Sequence, residues 1–418
     1  MPTPSLILVP ARFKTGKLYT PVATTSGGVV LGASGDFNVT RATTATRFNS
    51  AGLIESVASG VPRLDYYTSG GTAGCPALLV EPSAQNLATN SEVWNGNWNT
   101  ALNTTLSGNT TGTTDPYGTN VADTMFETTA NDSHAIFRDF TVVSGTTYTF
   151  SFFVKSVALR NVQVIGSSNF PGNTVQVNLS TLAITGDGSG TCRVSNFGNG
   201  WARIAQTYTA TGTNGRILIY SLSGTTASFA GSTNNGLYVF GAQLETGSIA
   251  TSYIPTTAAA ATRNADVISV TGPVSGCIGQ TEGTFYVEFQ ASPSGSTSNW
   301  LNISDNTTNN WLFIGKDGIN TRLYLRANNV VIFSNETTPL TGGVVKAAIG
   351  YKSGDYAAYI NGNLIVSGTT AFSFSSSLNR IHNGSNIAEP SLQISRYRSV
   401  ALYTTRLTNQ ELAALTTP

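Results

Sequence analysis

The chain is poor in charge. Only 10% of its 418 residues are Asp, Glu, Lys or Arg, where an ordinary soluble domain carries roughly 25%. The 22 basic residues nearly balance the 21 acidic ones. Nothing here offers the clustered Lys and Arg that neutralise nucleic-acid phosphates. No polybasic segment suits an anionic membrane surface, so neither nucleic acid nor membrane insertion is expected. No stretch approaches the roughly 20 apolar residues of a membrane-spanning helix. The run Leu6–Val9 is too short for a signal-peptide core, and prolines flank it. Cysteine is scarce as well. Cys75, Cys192 and Cys277 are odd in number and far apart, which excludes a disulfide framework and any metal-ligand spacing. They read as small buried apolar residues.

Histidine is rarer still. His134 and His382 are the two, and a Ser-His-Asp or Cys-His site would have to use one of them. There is no G-x-S-x-G elbow and no H-E-x-x-H. Glycan cleavage needs only two carboxylates at a suitable separation. The candidates are Asp65, Glu81, Glu245, Glu282, Glu288, Asp305, Asp317, Asp355 and Glu389, and no pair stands out by spacing. Glu81 and Asp65 read more simply as fold-stabilising partners of Arg41, Arg47 or Arg63. The expectation is a protein that is not an enzyme.

What is present in quantity is Thr, Ser, Asn and Gly, beside 40% apolar residues. Those polar residues favour strands and turns over helix interiors. The composition predicts an all-β fold: an irregular N-terminal segment followed by two β-sandwich (jelly-roll) domains. Residues 1–90 carry short extended pieces (Ser5–Val9, Thr46–Phe48, Leu53–Val57, Ala77–Glu81), with a hairpin turn at Ser50–Gly52. Residues 91–255 hold strands with period-two alternation. In TTYTFSFFVKS, for example, Tyr148, Phe150, Phe152 and Val154 share one face. GDGSG, Gly186 to Gly190, leads into a strand rather than a helix, so it reads as a hairpin turn and not a phosphate loop. Residues 256–282 read as a linker. Residues 283–418 are strand-rich again, with a hairpin at Asn361-Gly362 and a turn at Lys316-Asp317-Gly318. Thr408 and Glu411 form a capping box for one short helix that buries Leu412 and Leu415.

Stretches in three regions carry a resemblance. PSLILVPARFKTGKLYTP, DFNVTRATTATRFNSAGLIESVASGVPRLDY and CPALLVEPSAQNLATNSE resemble the N-terminal region of tailed-bacteriophage head-fibre, head-spike and tail-fibre proteins. FGAQLETGSIATSYIPT resembles the closing strand and exit of the carbohydrate-binding-module-like jelly roll in those proteins. GTFYVEF through DYAAYINGNLI to ALYTTRLTNQELAAL resembles a concanavalin-like or laminin-G-like sandwich. The resemblance implies a virion component, assembled in the host cytoplasm. It implies a homo-oligomer, here expected to be a homotrimer, with residues 1–90 meeting other virion proteins. It supplies no catalytic residue.

A host surface glycan is the remaining expected partner. Aromatic rings pack on the apolar face of a sugar while amides bond its hydroxyls. Trp311 with Asn306, Asn309 and Asn310 are the first candidates, and Trp94 with Trp98 the second. No cofactor is expected, although Ser304–Asn310 offers Asp and Asn oxygens of the kind that bind Ca²⁺. Two readings compete with the virion role: a cell-surface or secreted glycan-binding protein, and a polysaccharide depolymerase.

Overall fold

The computed structural model describes the chain except residues 1, 11–12, 19–21, 26–27, 30–35, 67–74, 172–173, 272, 292–298, 319, 340–342 and 385–393. The described residues are all-β apart from a 3₁₀ turn and one helix, Asn409–Thr416. Two sandwiches account for nearly every strand among the described residues.

The outer sandwich joins residues from both ends of the sequence. Its ten-stranded sheet is built around Ser395–Tyr403, which pairs with Glu282–Ala291 along one side. On its other side it pairs with Leu6–Leu8 and Ala77–Val80. The facing nine-stranded sheet places Val267–Thr271 between Phe37–Thr40 and Arg380–Gly384. The two sheets share one core, in which Leu6, Leu8, Val39 and Val80 lie against Ile268, Phe285, Leu312 and Leu402.

This corrects the expected boundaries at 1–90, 256–282 and 283–418. The first segment is no separate body, and the supposed linker supplies an inner strand. The short, irregularly spaced pieces at the N-terminus look coreless in sequence because their apolar partners lie some 200 to 400 residues away.

The second sandwich is inserted into the first. Asp123–Glu127, Thr147–Val157, Ala202–Thr209 and Gly236–Thr246 belong to its six-stranded sheet. Asn131–Thr141, Arg160–Ser168 and Asn214–Ser223 belong to its seven-stranded sheet. The alternation read from TTYTFSFFVKS holds: Tyr148, Phe150, Phe152 and Val154 point into the core with Ile217 and Ile219. The register slips between Ser151 and Phe153, opposite Gly241. Gly241 has φ +64°, and a Cβ there would meet the Phe153 ring at 3.0 Å. The position needs glycine for its backbone sign, as a bulge of this type requires.

Local expectations fare well. The Ser50–Gly52 turn joins Ala45–Phe48 to Ile54–Val57. Asn361 and Gly362 both have positive φ between Tyr356–Ile360 and Asn363–Gly368, the signature of a type I′ hairpin. Thr408 and Glu411 form the capping box, and Leu412 packs on the outer face of the ten-stranded sheet beside Ala348, Ala357 and Ala401. GDGSG differs from expectation. Ile184–Thr185 pairs within the seven-stranded sheet and Cys192–Asn196 within the six-stranded one, so the loop crosses between sheets. Asp187 closes it, accepting from the Thr191 and Cys192 amides at 3.1 and 2.7 Å.

Candidate functional site

The chain enters and leaves the inserted sandwich side by side, through the two-stranded ladder of Ala84–Asn86 with Ala261–Arg263. Asn86 locks this neck. Its amide donates to the Ala242 and Ile254 carbonyls at 3.1 and 2.8 Å. Its oxygen accepts from the Ala88 and Leu244 amides, both at 3.0 Å.

Beside the neck lies a buried ion network. Arg63 is 0% exposed. It donates to Glu81 at 2.6 Å, to the Thr46 carbonyl at 3.1 Å and to Ser252 Oγ at 2.9 Å, and it pairs with Asp266. Arg41 pairs with Asp266 at 2.8 Å and Arg263 with Glu81 at 2.9 Å. Burial alone would raise the Glu81 carboxyl, but Arg263 and Arg63 overcome it and hold Glu81 well below the usual carboxylate range. Glu245 lies in the same region, and there burial prevails and pushes the carboxyl up. The sequence reading of Glu81 as a fold-stabilising partner of Arg63 is met. Asp65 finds a different partner, Arg396 at 2.6 Å, and also accepts from the Phe48 amide.

A cleft of about 380 Å³ opens next to this network, between the two sandwiches. One wall is the outer face of the inserted six-stranded sheet. Pairing sets Thr149 beside Thr207, Phe153 beside Arg203, Arg203 beside Ser195, and Ala205 beside Arg193. Period-two alternation turns all of these away from the core and into the cleft. The opposite wall comes from the outer sandwich, with Arg47 and Phe48 of the hairpin, Asp65 and Arg396. The walls are held together by an aromatic cluster. Phe48 meets Phe197 edge-on at 4.7 Å, and Ile54 packs with Phe153, Trp201, Phe240 and Tyr253.

Four arginines line the cleft, in a chain with only 22 basic residues. Arg47 is paired with Glu55 and Arg396 with Asp65. Arg203 donates to the Thr251 carbonyl at 2.7 Å and to Ser151 Oγ at 3.0 Å, and lies over the Phe153 ring at 5.2 Å. Arg193 is exposed, and one of its terminal nitrogens donates to the Gly190 and Cys192 carbonyls at 2.6 and 2.8 Å.

None of the six residues singled out from sequence lines this cleft. Trp94 and Trp98 stack on each other at 4.3 Å inside the inserted core, 0% and 5% exposed. Their ring faces are taken by each other and by Phe152 and Phe150, which corrects their reading as a sugar platform. Trp311 is 8% exposed. It donates to Asn302 Oδ1 at 2.7 Å and packs against Phe313 and Tyr324, so its ring too is a packing element.

Asn310 is buried. Its amide donates to Asp305 and Ser375 at 2.6 and 2.9 Å, and its oxygen accepts from the Asn328 and Ser375 amides. Asn306 accepts from Arg380 at 2.6 Å. Asn309 is exposed, and its backbone N–H donates to Thr307 Oγ1 at 3.0 Å. The Asp305 carboxylate, the natural Ca²⁺ ligand of this loop, is engaged by Thr307, Asn310 and Ser376. Among the described residues no three His, Cys, Asp or Glu side chains gather as a metal site would require.

The other chemistry-bearing residues are dispersed. His134 is buried between the Asn103 and Phe229 carbonyls at 2.8 and 3.3 Å, and His382 is buried in the other sandwich. Glu282, Asp317 and Asp355 are paired with Lys352, Arg322 and Arg406. Glu389 lies outside the described residues. The cleft arginines were missed by sequence reasoning. The available signal was an arginine interrupting a strand pattern, as in GWARIAQTYTA, in a chain that spends few charges.

No family model matches this chain, and no curated protein matches it. Many solved structures resemble parts of it, three of them as follows. The carbohydrate-binding module CBM40 of the Ruminococcus gnavus IT-sialidase is 16% identical, with 34% of this chain and 85% of that one covered and a TM-score of 0.29. The receptor-binding domain of botulinum neurotoxin mosaic serotype C/D is 17% identical, with 36% and 39% covered and a score of 0.30. Domain 4 of AbnA, a GH43 extracellular arabinanase from Geobacillus stearothermophilus in complex with arabinotriose, is 18% identical, with 36% and 73% covered and a score of 0.29. Scores of this size fall short of a shared overall fold, and no ligand of this chain follows from them.

Proposed function

We propose that this chain is a non-enzymatic structural subunit of a tailed-bacteriophage particle, a head fibre, head spike or tail fibre, that contacts host surface glycan. The observation that carries the glycan contact is the cleft: concave, of ligand size, walled by threonine and serine hydroxyls, arginines and phenyl rings from two rigid sheets. The virion role is supported by where the phage-like stretches fall. Arg41, Arg63 and Glu81 all belong to them, and those three residues take part in the buried ion network beside the neck from which the inserted sandwich is displayed. Immunogold labelling of phage particles with an antibody to this chain tests the virion role, and unlabelled particles from a producing host refute it. Probing a glycan array with the whole chain tests the second part.

The homotrimer stays part of the proposal on the resemblance alone, because the N-terminal strands bury their apolar residues within their own chain. Sedimentation equilibrium at micromolar concentration tests it, and a monomer there removes the trimer while leaving the rest of the proposal standing.

A further inference from the structure

The geometry points to an acidic saccharide, one bearing a carboxylate, as the ligand of the cleft between the sandwiches. This inference rests on the glycan-binding reading and narrows it. Four guanidinium groups line the cleft against two carboxylates, Asp65 and Glu81. Both carboxylates are already committed, Asp65 to Arg396 and Glu81 to Arg63 and Arg263 behind the wall. Arg47 and Arg396 are likewise paired, with Glu55 and Asp65, so the guanidinium that a bound anion meets first is that of Arg193.

Arg193 is the residue that decides the matter. It is exposed, no carboxylate pairs with it, and it uses one terminal nitrogen on the Gly190 and Cys192 carbonyls. Those two bonds fix the plane of the guanidinium and leave its other N–H groups available. A fixed, planar fork is the geometry that carboxylates take in two parallel hydrogen bonds.

The rest of the wall fits the rest of a sugar. Arg193 and Arg203 lie on the same face of adjacent strands, diagonal to each other and two residues apart in register, with Ser195 directly across from Arg203. Arg203 is held over the Phe153 ring by its bonds to the Thr251 carbonyl and the Ser151 hydroxyl. A neutral ligand would leave the exposed Arg193 guanidinium without a counter-charge. An apolar ligand would be opposed by the hydroxyls and charges.

The test uses the full chain and defined probes: oligosaccharides of polyglucuronate, polygalacturonate and polysialate, each beside its carboxyl-reduced form, titrated by calorimetry. The expected result is that at least one acidic member binds about ten-fold or more tighter than its reduced partner. Its affinity should fall as salt rises from about 0.05 to 0.5 M, because exposed charges are screened over that range. Arg193→Ala should weaken that binding about ten-fold and Arg193→Glu should abolish it, both without lowering the melting temperature, since the side chain is exposed. Arg203→Gln should weaken it while the fold is monitored by circular dichroism. Equal binding of acidic and reduced forms overturns the acidic inference and leaves the glycan reading intact. Acid-selective binding that survives both Arg193 variants and Arg203→Gln overturns the cleft as its site. No binding to any pair overturns the inference, and a blank array of neutral and acidic glycans then removes the glycan reading as well.

Discussion

Arg63 donates to a carboxylate, a carbonyl and a hydroxyl without any contact with water, and it holds a second carboxylate at Asp266. Its partners come from the outer sandwich and, through Ser252, from the exit of the inserted one. Removing one member of such a network leaves the others buried and uncompensated, which costs about 3–5 kcal/mol. Arg63→Ala is therefore expected to lower the unfolding free energy by about that amount in urea titrations; a loss below about 1 kcal/mol, the size of an exposed pair, would contradict the network's role. The same cluster sets a pH dependence. Glu81 has a folded pKa depressed by Arg263 and Arg63 against its burial. Its stabilisation is thus complete above the unfolded-state value of about 4.3 and is lost as pH falls below it. Glu245, raised by burial, acts with the opposite sign: it favours the folded state at low pH and costs stability as pH rises through its folded value. The Glu81→Gln variant should have a flatter acid limb in a melting-temperature scan from pH 5 downwards than the unaltered chain. Parallel limbs would mean that other carboxylates carry the acid response.

At the scale of elements, strand identity was legible in the sequence and strand partnership was not. The hairpins at Ser50–Gly52 and Asn361-Gly362 and the capped helix could be read because their determinants lie within a few residues of each other. The pairing of Leu6–Leu8 with Ser395–Tyr403 rests on two apolar runs almost 400 residues apart, and no local pattern records it. For the same reason the strand Val267–Thr271 read as linker: five residues following the polar run Thr262–Asp266 look like a connector until Thr40 and His382 are seen on either side. The candidate site fared worse. Tryptophan and asparagine were sought as sugar-binding types, yet Trp94, Trp98, Trp311 and Asn310 are consumed by packing and turn closure. The cleft exists only once the hairpin docks on the inserted sheet.

These pairings give a test. A fragment of residues 283–418 lacks Leu6, Leu8, Val39, Leu78, Val80, Ile268 and Val270 from its own core, so it should be unfolded by circular dichroism and amide exchange. Joining Asn86 to Ala261 through a short Gly-Ser turn, with the sequence between them removed, should leave the outer sandwich folded, because those residues are already neighbours in one ladder. A folded 283–418 fragment, or an unfolded deletion chain, would show that the observed strand order does not govern stability.

The whole molecule is one chain of two sandwiches joined in three ways: the neck ladder, the ion network across Ser252, and the aromatic cluster around Phe153. If the inserted sandwich melted alone, Phe48 and Ile54 would lose their partners and Glu81 would lose both bonds from Ser252, the amide at 2.8 Å and the hydroxyl at 2.6 Å. If the outer sandwich melted alone, the ends of the insert would no longer be held together. Each event exposes apolar surface and strands buried charge belonging to the other sandwich, so the two are expected to unfold in one cooperative step. Tryptophan reports this asymmetrically. Trp94, Trp98 and Trp201 belong to the insert, Trp300 and Trp311 to the outer sandwich, so fluorescence weights the insert while far-ultraviolet circular dichroism weights all strands. The two melting curves should coincide for the unaltered chain, the usual criterion for a two-state transition. They should separate for Glu81→Ala, which cuts the ion network while leaving the ladder in place. Two resolved transitions in the unaltered chain would mean that the network and the aromatic cluster do not couple the sandwiches and that the neck only tethers them.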